Sequence, residues 1–99
     1  MSGFHYQTAS THQTVALGDV DASRRGDQTV FARLVEATCA LVSSIAFTIV
    51  RNPDVSGDIT QDVFLAAWHD ISKLRKASSL LPWLRQITRN RAHHVLRTS

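Results

Sequence analysis

The sequence predicts an all-α protein, a compact bundle of three to four helices. Apolar residues recur at helical spacing in three separate stretches, no stretch alternates as a half-buried strand would, and no internal repeat is present. The chain has 99 residues, of which 43% are hydrophobic. This is enough for one small domain and too little for two.

The N-terminal 25 residues lack helical periodicity and are rich in Ser, Thr, Gln, Asp and His. We therefore interpret residues 1–25 as a flexible tail and residues 26–99 as the folded domain. The start of the chain does not resemble a signal peptide. The longest uncharged apolar run, residues 37–50, has 14 residues, fewer than the roughly 20 that cross a membrane. We expect a cytoplasmic protein that does not contact a membrane.

The first long helix is predicted to start after Asp27, a suitable N-cap residue, and to continue to residue 50. It is one helix or two nearly collinear ones. Apolar residues cover so much of its circumference that we expect deep burial, with Cys39 filling the core. The run Arg-Asn-Pro-Asp at residues 51–54 ends it.

The next helix is predicted to start near Asp58, because Asp58 and Gln61 have the spacing of a capping box. One side is an apolar stripe, and the opposite side is polar and acidic. That acidic side either contacts a basic partner or only complements the helix dipole. The stripe comprises Ile59, Val63, Phe64, Ala67, Trp68 and Ile71, and the polar side comprises Asp58, Gln61, Asp62, Leu65 and His69.

A basic loop is predicted over residues 72–79 and a third helix over residues 80–97, with Pro82 in its first turn. Residues 27–71 carry six acidic and two basic side chains, whereas residues 72–99 carry seven basic side chains and no acid. This segregation favours a polyanion at the basic end. The candidate nucleic-acid contacts from this argument are Lys73, Arg75, Lys76, Arg85, Arg89, Asn90, His93 and Arg97.

Asn90 can present both a donor and an acceptor to a base edge, and the arginines suit phosphates. The alternative is a solvated amphipathic helix whose arginine stems cover apolar surface. Adjacent histidines such as His93 and His94 point about 100° apart on a helix, so we predict no metal site. No catalytic constellation and no cofactor motif is present, and we predict that the protein is not an enzyme.

Two motifs resemble extracytoplasmic-function (ECF) sigma factors, bacterial promoter-recognition subunits of the sigma-70 family. DITQDVFLAAW at residues 58–68 is similar to the DLTQEVFLxxW signature of their region 2. WLRQITRNRAHHVLR at residues 83–97 is similar to WLxxIAxNxAxDxxR, and the 14 residues between the two tryptophans match the family spacing. The resemblance covers residues 26–97.

The resemblance implies two partners. Core RNA polymerase would bind through its β′ clamp helices at the positions of Asp58, Gln61, Asp62 and Leu65. The single-stranded non-template strand of the promoter −10 element would bind the loop, including Leu74, and the third helix, including Asn90. Exposed single-stranded bases offer edges that a duplex hides. The helix-turn-helix domain that the family uses for the −35 element, region 4, is not part of this sequence.

The chain departs from the family pattern at several positions. Leu74 replaces a residue that is often aromatic, His94 replaces an Asp, and Arg91 replaces an apolar residue. The acidic cluster that usually precedes the first motif is reduced to Asp58.

In lacking this acidic cluster, the chain resembles a subgroup of the family that is activated when a Ser/Thr kinase phosphorylates the same region. Phosphate on Ser56 or Thr60 would restore the missing charge, and Thr48 is a more distant candidate. Without modification, Ser56 is only a turn residue. An anti-sigma factor is the other regulator that the family implies. The alternative function is a free-standing helical interaction module that binds a kinase or inhibitor and no DNA.

Overall fold

The computed structural model describes residues 15–98 and contains four α-helices joined by short connections. Among these residues there is no strand, so the predicted all-α bundle is confirmed. Two 3-10 turns, Ile71–Lys73 and Ala77–Ser79, lie between the last two helices. The helices are α1 (Leu17–Arg24), α2 (Gln28–Val50), α3 (Pro53–Asp70) and α4 (Leu80–Thr98).

Helix α1 corrects the interpretation of residues 1–25 as a flexible tail. Val20 is completely buried in the common core, and Asp19 forms an ion pair with Arg33 of α2 at 3.3 Å. The helix has only eight residues and a single buried apolar side chain, so it shows no periodicity that the sequence argument could detect. Residues 1–14 of the predicted tail lie outside the described residues.

Helix α2 is a single helix of 23 residues. The Asp27 carboxylate accepts a hydrogen bond from the Val30 N–H at 3.1 Å, which confirms the predicted N-cap. With 23 residues and a mean hydropathy of 1.6, α2 is also long and apolar enough to cross a membrane. The uncharged run at residues 37–50 alone was judged too short for this. The core helix of a bundle has the same length and hydropathy, and α2 packs against α1, α3 and α4.

The connection between α2 and α3 corrects the predicted helix start. Arg51 ends α2 in the left-handed conformation with φ of 58°, and the Asn52 carboxamide accepts a hydrogen bond from the Val55 N–H at 3.1 Å. Pro53 is the first residue of α3, where a missing N–H costs nothing. Asp58 therefore lies inside α3, and the predicted capping box of Asp58 and Gln61 does not form the helix start.

The core is formed where all four helices and the first 3-10 turn meet. The predicted stripe on α3 supplies its buried apolar residues, with Phe64 and Trp68 partly buried beside them. On α4 every fourth residue from Leu80 to Ala92 is buried, and Thr88 is one of them. The buried apolar residues are Val20, Leu34, Val42, Ala46, Ile59, Val63, Ala67, Ile71, Leu74, Leu80, Leu84 and Ala92.

Candidate nucleic-acid and protein interfaces

The outer surface of α4 is basic and exposed. The buried row of Leu84, Thr88 and Ala92 fixes the rotation of the helix, so the side chains between these positions face solvent. The predicted contact residues on this surface are Arg85, Arg89, Asn90, His93 and Arg97, and all five are exposed. A row of cations with one carboxamide can contact successive phosphates and one base edge.

The loop before α4 is held in place by the burial of one of its own residues and by a hydrogen bond from α1. Lys73, Arg75 and Lys76 are exposed, as predicted. Leu74 is only 8% exposed and belongs to the core, so it anchors the loop and does not offer a free side chain for stacking. Arg24 of α1 donates a hydrogen bond to the Arg75 carbonyl oxygen at 3.4 Å. This contact was not predicted, because α1 itself was not predicted.

A concavity of about 470 Å³ lies between the end of α3, the loop and the start of α4. At its edge, Asp70 Oδ1 lies 2.8 Å from His69 Nδ1 and 3.4 Å from Lys73 Nζ. The hydrogen bond from His69, and secondly the Lys73 ammonium, hold the pKa of Asp70 below its ordinary value. The lining residues are Asp70, Lys73, Leu74, Arg75, Ser79, Pro82, Trp83 and Gln86.

The outer surface of α3 carries acidic and polar side chains followed by one exposed apolar residue. Asp58, Gln61 and Asp62 are exposed, and Leu65, one helical turn after Gln61 and Asp62, is 64% exposed. Asp62 Oδ2 lies 3.8 Å from Arg91 Nη1 of α4. Arg91 is exposed and directed to α3, which shows how the bundle accommodates a cation at a position where an apolar residue was expected.

An open apolar groove of about 590 Å³ runs between α2 and α3 and reaches the same surface. Phe31 and Trp68 form part of its wall, with ring centroids 4.9 Å apart. Cys39 lines the groove and is exposed, so the prediction that it fills the core was wrong. The groove was not predicted either, because α2 is apolar on most sides and periodicity cannot show which side stays uncovered.

Comparison with known proteins identifies the domain that carries these surfaces. Residues 34–99 match the model of the family described as sigma-70 region 2. The chain belongs to the sigma-70 region 2 family. It is also 45% identical over 73 residues to a protein of Xanthomonas campestris pv. campestris named probable RNA polymerase sigma factor RfaY. The match covers 74% of this chain and 18% of that relative. No solved structure matches the chain significantly.

The sigma-70 region 2 domain spans both motifs that suggested the family. Its members are parts of transcription initiation factors and not of enzymes, in agreement with the prediction that this chain has no catalytic function. Among residues 15–98, no three His, Cys, Asp or Glu side chains are grouped so that they could hold a metal ion.

The two predicted phosphorylation sites of this sigma-70 region 2 domain lie inside α3. Ser56 is 6% exposed and its hydroxyl donates to the Pro53 carbonyl oxygen at 3.0 Å. Thr60 is 8% exposed and its hydroxyl donates to the Ser56 carbonyl oxygen at 2.8 Å. A kinase reaches either hydroxyl only after this part of α3 opens. Thr48, near the end of α2, is exposed.

Proposed function

We propose that this chain is the region 2 domain of an ECF-type RNA polymerase sigma factor, which connects the core polymerase to the promoter −10 element. The observation that carries the proposal is that a domain of this family has two exposed surfaces of opposite charge, on α3 and α4. The domain would include α1 and thus begin no later than Leu17, in place of the boundary at residue 26. Its place of action would be the cytoplasm.

The α3 surface would bind the β′ clamp helices of RNA polymerase. Leu65 and the adjoining groove provide apolar contact area, and Asp58, Gln61 and Asp62 add acidic and polar groups one to two helical turns before Leu65. An amphipathic helix with basic residues beside its apolar side is complementary to this arrangement.

The α4 surface and the loop would hold the single-stranded non-template strand. Arg85, Arg89 and Arg97 would contact phosphates, and Asn90 would contact a base edge. Holding unpaired bases stabilises the melted state of the promoter, since the free energy of unstacking is offset by these contacts. No catalytic group and no cofactor is required for this activity.

Regulation by an anti-sigma factor or by a Ser/Thr kinase stays a prediction. Phosphorylation of Ser56 or Thr60 has a structural requirement, because phosphate could be added only after α3 opens around these residues. A modified residue would then have to remain outside the core, so the switch would act by changing the conformation of α3 as well as its charge.

The polymerase contact is tested by titrating the chain with an isolated β′ clamp-helix fragment. Leu65→Ala should weaken this binding about tenfold, since Leu65 is the exposed apolar side chain of this surface. The matched control is Leu17→Ala, which removes a leucine that is 55% exposed on α1 and should not change the affinity. Equal effects of the two substitutions would contradict the assignment of this surface.

The DNA contact is tested with fluorescent single-stranded DNA at several salt concentrations. Binding should weaken as salt rises, and Arg89→Ala and Asn90→Ala should each reduce it several-fold. Arg33→Ala removes the same charge as Arg89→Ala from an exposed site on α2 and serves as the control, since the exposed ion pair with Asp19 that it breaks contributes less than about 1 kcal/mol. Absence of salt-dependent binding would favour the alternative, an interaction module without a DNA partner.

A further inference from the structure

A second group of cations lies on α4, apart from the row of Arg85 and Arg89. It surrounds an open concavity of about 460 Å³. Two guanidinium groups, an imidazole and a carboxamide are part of the lining, and no acidic side chain among residues 15–98 belongs to it. Guanidinium groups bind phosphate through several hydrogen bonds at once, so this lining is suited to a phosphate group. The lining residues are Ile87, Asn90, Arg91, His94 and Arg97.

Arg91 and His94 lie on the side of α4 opposite to that row. Successive residues of an α-helix are about 100° apart, so Arg91 is about 160° away from Arg89 around the helix axis. A helix with its side chains is about 10–12 Å across. One phosphate therefore cannot contact both sides, and a strand that follows Arg85 and Arg89 leaves the concavity to a different segment of DNA.

Both side chains on this second side can donate hydrogen bonds to an anion. Arg91 and His94 are exposed and three residues apart, so they are neighbours on the helix surface. Asp62 Oδ2 lies 3.8 Å from Arg91 Nη1, and the other N–H groups of the guanidinium can donate to a ligand. A carboxylate at position 94, as in the family pattern, would repel a phosphate. The site therefore depends on residues by which this chain departs from the family.

The distance between the two sides of α4 matches the width of the DNA major groove. That groove is about 12 Å wide and admits an α-helix, with one strand on each side of it. We propose that Arg91 and His94 bind a backbone phosphate of the complementary strand, where the promoter is still double-stranded beside the melted segment. The strand held by Arg85 and Arg89 is the non-template strand. The inference rests on the proposed function, since it requires that α4 binds DNA.

The test compares a fluorescent single strand with the same strand paired over part of its length, so that a duplex borders the single-stranded segment. Affinities for the 99-residue chain are measured at about 0.15 M salt, where charges that do not contact the DNA are largely screened. Arg91→Ala should weaken binding to the partly paired DNA about fivefold, as expected for the loss of a charged hydrogen bond. Binding to the single strand should change less than about twofold.

Variants at position 94 test the second donor. His94→Asp should weaken binding to the partly paired DNA about tenfold, because a carboxylate repels the phosphate. His94→Gln keeps an N–H donor and should retain most of the affinity. His94 is exposed, so both variants should fold as the unmodified chain does, and circular dichroism checks this.

Two controls separate this site from the row of Arg85 and Arg89 and from general charge. Arg89→Ala should weaken binding to both DNAs to the same extent, because the non-template strand is present in both. Arg33→Ala removes an exposed arginine that, like Arg91, is paired with an aspartate, and it should change neither affinity. An equal loss on both DNAs from Arg91→Ala would overturn the assignment to the second strand, and no loss on either would overturn the site.

The free ion is the other source of a phosphate group. Titration with inorganic phosphate in the absence of DNA, followed by the NMR signals of the His94 ring, should give no saturable change below about 1 mM. Saturation below that concentration would overturn the assignment to DNA and make a free anion the ligand. Intact binding to the single strand without any effect of Arg91→Ala would overturn this inference alone. Absence of binding of the unmodified chain to either DNA would overturn the proposed function as well.

Discussion

Buried threonines in this bundle keep their hydroxyl groups hydrogen-bonded inside their own helices. Thr38, Thr60 and Thr88 each donate to the carbonyl oxygen four residues earlier, at 2.8, 2.8 and 2.6 Å. A buried hydroxyl without such a bond would destabilise the fold by about 1–3 kcal/mol. Thr38, Thr60 and Thr88 are at most 8% exposed, so a charged group at these positions would be largely removed from water.

A negative charge at the predicted phosphorylation sites should therefore destabilise the folded chain. We expect Ser56→Asp and Thr60→Asp each to lower the free energy of unfolding by more than about 1 kcal/mol, since a carboxylate would have to leave the core or be buried. Urea denaturation measures this. The matched control is Thr48→Asp, because Thr48 makes the same bond at 2.8 Å but is exposed.

Thr48→Asp should cost less than about 1 kcal/mol, mostly from the negative end of the helix dipole. Equal destabilisation at Thr48 and Thr60 would contradict the importance of burial. A Ser56 or Thr60 variant that is as stable as the unmodified chain and binds the clamp helices more tightly would support the kinase switch.

The exposure of Cys39 gives a second prediction for a single residue. The thiol lines the groove between α2 and α3, so a thiol reagent should label it in the folded protein without denaturant. Saturation with the β′ clamp-helix fragment should slow labelling at least tenfold if the partner covers the groove. Labelling that requires denaturant would contradict the exposed position, and labelling that the fragment does not slow would place the partner elsewhere.

Helix α1 supports the DNA-binding loop although it carries none of the predicted contacts. It packs against both 3-10 turns, and Arg24 bonds to the backbone at Arg75. We expect Val20→Ala to destabilise the chain by about 2 kcal/mol, because Val20 is fully buried. Single-stranded DNA affinity should also fall at temperatures where the fold remains intact, because α1 no longer holds the loop firmly.

The control for this prediction is Leu17→Ala on the exposed side of α1, which should change neither stability nor DNA affinity beyond experimental error. Thermal denaturation and fluorescence anisotropy measure the two effects. If Val20→Ala lowered stability without changing affinity, α1 would belong to the core and have no role in positioning the loop.

The elements differ in how far the sequence could predict them. The polar and apolar sides of α3 and the polar side of α4 were predicted, because each helix has a long periodic pattern over which single deviations average out. The predicted start of α3 was wrong. The spacing of Asp58 and Gln61 is that of a capping box, but the helix starts at Pro53 with Asn52 as its N-cap. Helix α1 and the position of Cys39 depend on tertiary contacts, which periodicity does not contain.

At the scale of the whole molecule, the acidic and basic surfaces are neighbours. They meet at the exposed ion pair of Asp62 and Arg91, whose atoms are 3.8 Å apart. Such a pair contributes less than about 1 kcal/mol to stability. Its larger effect concerns binding, since Asp62 lowers the attraction of Arg91 for phosphate while Arg91 partly neutralises the surface proposed for polymerase.

Removing the carboxylate should therefore shift the balance between the two partners. We expect Asp62→Ala to strengthen binding of single-stranded DNA about threefold at low salt, because Arg91 becomes free, and to weaken binding of the clamp-helix fragment. Glu36→Ala removes the same charge from an exposed site on α2 and should change DNA affinity less, since none of the ion pairs among residues 15–98 involves Glu36. Anisotropy titrations with both variants compare the effects. An equal gain from both substitutions would show that only net charge matters, and that the contact between the two surfaces has no influence on which partner binds.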